Sequence, residues 1–114
     1  MKRKIVLVNE DTTDNIIQYC IHHLTEVGIE KEQIEISTNI EEVLNDINNV
    51  EVICTPEIYS ISKNPKKWVK YFGQIFEANV RLITASAPAG SISEDTQRRL
   101  YYSFYDFLSG FYKK

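Results

Sequence analysis

Hydrophobic and polar positions recur along this chain with two different periods, and the changes of period mark out the elements. Lys4-Ile-Val-Leu-Val8 is continuously apolar after its first residue, the pattern of a central strand covered on both faces. The acidic turn Asn9-Glu-Asp-Thr-Thr-Asp14 follows and offers several helix caps. Ile17, Cys20, Ile21, Leu24 and Val27 then fall at helical spacing, with Gly28 marking the end. Gln33-Ile-Glu-Ile36 alternates as a half-exposed strand, and Asn39 can cap a short helix presenting Val43, Leu44 and Ile47. Val50 to Cys54 is a third apolar strand. Asn64 can cap a helix opened by Pro65, where a missing N–H costs nothing. Trp68, Phe72, Ile75 and Phe76 repeat on one face of that helix. Asn79 can take the left-handed turn that ends it, and Val80 to Ala85 forms the fourth strand.

Strands alternating with helices predict an α/β fold: a three-layer sandwich whose sheet is mainly parallel, in a single domain spanning 1–114. Connections of this kind are right-handed, which places helices on both faces. The segment Ser86-Ala-Pro-Ala-Gly-Ser91 reads as a small-residue loop. From Ser93 onward the pattern predicts one long C-terminal helix, with Leu100, Phe104, Leu108 and Phe111 in one stripe. Tyr101, Tyr102, Tyr105, Phe107 and Tyr112 spread apolar surface around the rest. A helix that is aromatic on several sides exceeds what one small sheet can cover, so Leu100, Phe104, Phe107, Leu108 and Phe111 form a candidate interface. Self-association or a protein partner is the corresponding expectation, beside simple packing within the chain.

Composition narrows the function classes. A hydrophobic content of 43% with 25% charged residues is that of an ordinary globular domain. No apolar run reaches bilayer length and no secretory leader is read, so the expectation is a cytoplasmic protein with no membrane partner. Cys20 and Cys54 sit in core-type elements at no metal-ligand spacing and read as packing residues. His22 and His23 are adjacent on a helix and point different ways. No metal and no cofactor is expected. The net charge of −3 argues against general DNA binding, which relies on many Lys and Arg neutralising phosphates. Charge is nevertheless uneven. Lys63, Lys66, Lys67 and Lys70 cluster around the start of one helix, as a solvated face or a phosphate-facing patch. Glu10, Asp11 and Asp14 cluster after the first strand, where caps and dipole interaction are the simplest role.

One known family shares the order of these pieces. The stretch from Glu51 to Arg81, with the loop Ile58-Tyr-Ser-Ile-Ser-Lys-Asn64 and the strand opening Val80-Arg-Leu-Ile, resembles the catalytic domain of the serine recombinases, the resolvases and invertases. Those proteins carry a loop of the type Leu-Asp-Arg-Leu-Ser-Arg-Asn, then a helix and a strand opening Gly-Val-Arg-Leu-Ile-Ser. The resemblance implies a last strand antiparallel to the others, then a long helix that mediates subunit contact. It also implies attack on a DNA phosphodiester by a serine hydroxyl, with arginines stabilising the phosphoryl charge. Yet Ser60 and Lys63 stand where the family has its loop arginines. The family's Tyr-x-Arg-x-Ser-Thr aligns with Leu7-Val-Asn-Glu-Asp-Thr12, so Asn9 replaces arginine and Asp11 the nucleophile. A shift of one or two residues would bring Thr12 or Thr13 to that place. Lysine supplies a point charge without the bidentate fork, and nearby carboxylates repel a phosphate. The resemblance therefore implies a member without cleavage activity, an accessory or regulatory module with weak DNA contact at most. No DNA-binding module is read within the chain.

Two-component receiver domains compete for the same features. Val8-Asn-Glu-Asp11 is similar to their acidic first turn, and Leu82-Ile-Thr-Ala85 to the Thr-Ala pair closing their fourth strand. Acidic side chains there can hold Mg²⁺. The phosphate-accepting aspartate is missing, with Thr55 and Pro56 in its place, so this reading implies a degenerate signalling module. It predicts five parallel strands alternating with five helices.

Overall fold

The computed structural model describes residues 2–56 and 65–85, together with Arg99, Ser103, Asp106, Phe107 and Gly110; at 65, 66, 68 and 69 it describes the backbone alone. Four strands are β1 (Arg3–Leu7), β2 (Ile34–Ser37), β3 (Val50–Thr55) and β4 (Arg81–Thr84). Three α-helices are α1 (Asp14–Glu26), α2 (Ile40–Asn45) and α3 (Pro65–Glu77). The strands form one sheet in the order β2-β1-β3-β4, and every neighbouring pair is parallel. The α/β fold with a parallel sheet therefore stands. The antiparallel last strand implied by the recombinase resemblance is not among the described strands, and neither is the fifth parallel strand of a receiver.

Side-chain alternation along the strands builds two cores. Ile5, Leu7, Ile53 and Leu82 pack against Val43 and Leu44 of α2 and against Tyr71, Phe72 and Ile75 of α3. Val6, Val8, Val52, Cys54 and Ile83 pack against Cys20, Ile21 and Leu24 of α1. Helices thus cover both faces, which is why β1 and β3 are apolar at successive positions rather than at alternate ones. Val50 and Val52 would share a face in a regular strand, yet they belong to opposite cores. An irregularity in the β1–β3 register, where Arg3 pairs Val50 and Lys4 pairs Val52, makes the switch.

Both long described helices end alike. Gly28 (φ 93°) and Asn79 (φ 59°) take the left-handed conformation. The amides of Gly28 and Ile29 donate to the carbonyls of Thr25 and Leu24, and those of Asn79 and Val80 to Phe76 and Ile75. Leu24 with Ile29, and Ile75 with Val80, then close the apolar contact that accompanies such a terminus. At the other end of a helix, Asn39 caps α2 as expected, its Oδ1 accepting from the Glu42 amide.

Several boundaries shift from the sequence reading. The first strand begins at Arg3 and stops at Leu7; the second runs from Ile34 to Ser37, with Ile36 half exposed. Val27 lies beyond the last turn of α1 and is 44% exposed, so it does not extend the buried stripe. The predicted C-terminal helix from Ser93, its stripe Leu100, Phe104, Leu108 and Phe111, and the 86–91 loop lie outside the described residues. Arg99, Ser103, Asp106, Phe107 and Gly110 are individually helical, and Phe107 is 69% exposed. No described helix is long and apolar enough to cross a membrane.

Candidate functional site

In an open parallel sheet, ligands settle in the crevice outside the carboxyl ends of the strands, where the strand order reverses. The order β2-β1-β3-β4 puts that switch point between β1 and β3. The residues leaving β1 there are Val8 to Thr13. Val8 is tied to β2 by its amide, which donates to the Ser37 carbonyl at 2.9 Å. Asn9 and Thr12 close a tight turn. The Asn9 amide donates to Thr12 Oγ1 at 3.0 Å, and the Thr12 amide donates to the Asn9 carbonyl at 3.1 Å. Opposite, Thr55 and Thr84 end their strands side by side, both buried, and the Ala85 amide donates to the Thr55 carbonyl at 2.9 Å.

The structure thus brings Asn9, Asp11, Thr12 and Thr13 together at this edge. Asn9, Glu10, Asp11 and Asp14 are exposed, and none of these carboxylates has an ion-pair partner among the described residues. Thr12 Oγ1 is engaged by the turn. Thr13 begins α1, but its side chain makes no capping bond. Of the acidic trio only Asp14 lies in the first turn of α1, where a negative charge meets the helix dipole favourably. The capping role expected for Glu10 and Asp11 is therefore not seen.

The N-terminus of α3 follows β3 and lies at the same edge of the sheet, against the opposite core from α1. Lys67 and Lys70 are exposed on it, and Lys70 Nζ lies 6.0 Å from the Tyr71 ring centroid. Ser60 and Lys63 lie outside the described residues, as does the side chain of Lys66. Among the described residues no cluster of three or more metal-ligating side chains occurs.

Three features escaped the sequence reading. Arg3, at the start of β1, donates to Glu35 of β2 at 3.0 Å, to Glu42 of α2 at 3.1 Å and to Asp46 at 3.0 Å. Hydrogen bonds donated to Glu35 and Glu42 hold its guanidinium more firmly protonated than usual. Bonds from Asn49 and then Arg3 hold the Asp46 carboxyl below its ordinary range. Tyr71 is buried beside Phe72, and its hydroxyl donates to Glu41 of α2. That bond, then burial, pushes its pKa up to about 12. His23 is buried edge-on to Tyr19 with no hydrogen-bond partner at Nε2 among the described residues, whereas its neighbour His22 reaches Glu26 at 2.9 Å on the surface. The two histidines do point apart. The only hint of the Arg3 hub in the chain is a cation opening an apolar strand, which does not say which carboxylates it will meet.

Against known proteins, the chain matches no family model, no curated protein and no solved structure.

Proposed function

We propose that this chain is a catalytically inactive serine-recombinase-like domain that works as an accessory or regulatory interaction module in DNA recombination. The observation that carries the inactive reading is the β1–α1 turn. It presents exposed Asn9, Glu10, Asp11 and Asp14 at the switch point of the sheet, where a phosphodiester would have to be held by fixed cations. One like-charge contact at about 4 Å costs on the order of 1 kcal/mol in water and several at a protein surface. The Thr12 hydroxyl oxygen already accepts the Asn9 amide. Lys67 and Lys70 on α3 leave room for weak phosphate contact, with Lys63 and Lys66 as further candidates. Pairing with a second copy or a protein partner would run through the long C-terminal helix. The exposed ring of Phe107 supports that role, and Leu100, Phe104, Leu108 and Phe111 complete the proposed interface. The proposed setting is the cytoplasm.

Incubation with supercoiled plasmid tests the reading. The expected result is neither nicking nor a covalent adduct, with weak, salt-sensitive retention of DNA at most. A DNA end esterified to Thr12 or Thr13 would overturn it.

A second reading, a degenerate receiver-like signalling module, is favoured by one observation: the described strands are all parallel in the order β2-β1-β3-β4. In that reading Thr55, buried at the end of β3, occupies the phospho-acceptor position. The chain would then signal by partner binding and would take no phosphoryl group from acetyl phosphate with Mg²⁺. Partner capture that depends on Phe107 and has no link to recombination proteins or DNA would favour this second reading.

A further inference from the structure

β2 forms one margin of the sheet, and among the described residues no strand pairs its outer side. The ladder fixes which backbone groups face that side. Val6 pairs Ile36, Leu7 pairs Ser37, and the Val8 amide donates to the Ser37 carbonyl. In a parallel pair this turns the amides and carbonyls of Glu35 and Ser37 toward β1, and those of Ile34 and Ile36 outward. The Ile34 amide is taken by the Lys31 carbonyl. For the Ile34 carbonyl and both backbone groups of Ile36, no partner is found among the described residues. The Ile36 side chain beside them is 52% exposed. β2 also lacks the guards of an open edge, having no lysine, no proline and no bulge. Its one charge, Glu35, is held by Arg3 of the same chain. We propose that the outer side of β2 docks β2 of a second copy, antiparallel about a twofold axis at Ile36, joining two sheets into one.

Outward-facing amides and carbonyls call for an extended strand, and self-complementarity selects this one. With the axis at Ile36, each Ile36 amide donates to the Ile36 carbonyl of the other copy. Each Ile34 carbonyl then falls opposite the other copy's Thr38 amide, so the Ile34 amide already spent on Lys31 is not needed. The two Ile36 side chains meet on the face covered by α1, where Ile36 lies level with Val6, and shield each other from water. Glu35 comes opposite Ser37 of the second copy, so no like charges are apposed. An axis at Glu35 would do the reverse: it sets glutamate against glutamate and calls on the occupied Ile34 amide. The contact uses the same patch on both copies and therefore closes at two. It lies apart from the C-terminal helix and does not depend on a role in recombination.

The test is sedimentation of the full chain over a concentration series, with amide exchange followed residue by residue by NMR. The expected result is a monomer–dimer equilibrium in which the Ile36 amide, open to solvent in the monomer, becomes protected as dimer forms. Ile36→Lys should sediment as a monomer with the parent's far-UV spectrum, since a charge at an edge opposes strand addition. Phe107→Ser should leave the protection at Ile36 unchanged, which separates this contact from one through the C-terminal helix. Should Ile36→Lys not fold, exchange at the Ile36 amide of the parent decides by itself. An Ile36 amide that exchanges equally fast at every concentration would overturn the proposal. So would a dimer kept in Ile36→Lys and lost in Phe107→Ser, or a chain that stays monomeric while an added extended peptide protects that amide.

Discussion

The two ends of the parallel sheet handle charge in opposite ways. At the amino end, Arg3 gathers Glu35 from β2, Glu42 from α2 and Asp46 just past the end of α2, all within hydrogen-bond distance. At the carboxyl end, Glu10, Asp11 and Asp14 stand exposed at the start of α1 with no ion-pair partner among the described residues. The first arrangement joins three elements and gives every carboxylate in it a cation partner. The second leaves charge to the solvent at the place where such sheets usually bind ligands. A carboxylate therefore plays different parts at the two ends: a strut in one, and in the other a charge left to solvent.

Removing the cation should break the contrast most sharply. Arg3→Met leaves three carboxylates facing one another, and a loss of about 1–2 kcal/mol is expected in denaturant unfolding. That figure stays modest because the acids are 40–52% exposed and screened by solvent. The loss should shrink in high salt. Acid should act alike, since Asp46 titrates low in the fold. Its contribution is complete above about pH 4, the ordinary aspartate range, and is lost as pH falls through the depressed folded value.

Helix starts at the carboxyl end provide the next test. Asn39→Ala removes the bond to the Glu42 amide and should cost about 1 kcal/mol. Thr13→Ala, at a start with no side-chain cap, should cost clearly less in the same urea titration. Tyr71→Phe should lose about 0.5–1 kcal/mol at neutral pH. The folded Tyr71 pKa of about 12 lies above its ordinary value, so the fold holds that proton more tightly than the unfolded chain does. Its contribution is full below about pH 10 and lost as pH rises through about 12; the variant should lack that alkaline slope. Smallest of all, Glu10→Ala and Asp11→Ala should stay within about 0.5 kcal/mol of the parent. An effect as large as that of Arg3→Met would show that the exposed acids are structural after all.

Much of this architecture is legible one residue at a time. The strand order along the chain, the Asn39 cap and the stops at Gly28 and Asn79 follow from apolar period and from the few residues that tolerate positive φ. These are local decisions, taken within a turn or two of backbone. The candidate site is half legible for the same reason. An acidic turn after an apolar strand is visible in the chain, but whether its side chains cap the helix or face solvent is not. Phe72 and Ile75 announce the buried face of α3 by spacing, whereas Tyr71 joins them because a glutamate from α2 meets its hydroxyl.

What tertiary structure alone decided are the meetings between residues far apart in the chain. Arg3 finds acids 32, 39 and 43 positions away, and Cys54 finds Cys20 at 34. The shifted register beside Arg3 sends Val50 and Val52 to opposite cores. Period and propensity describe how a segment folds upon itself. Which segments then touch depends on strand order and register, set by how two whole cores pack on one sheet, and no short stretch of sequence holds that information.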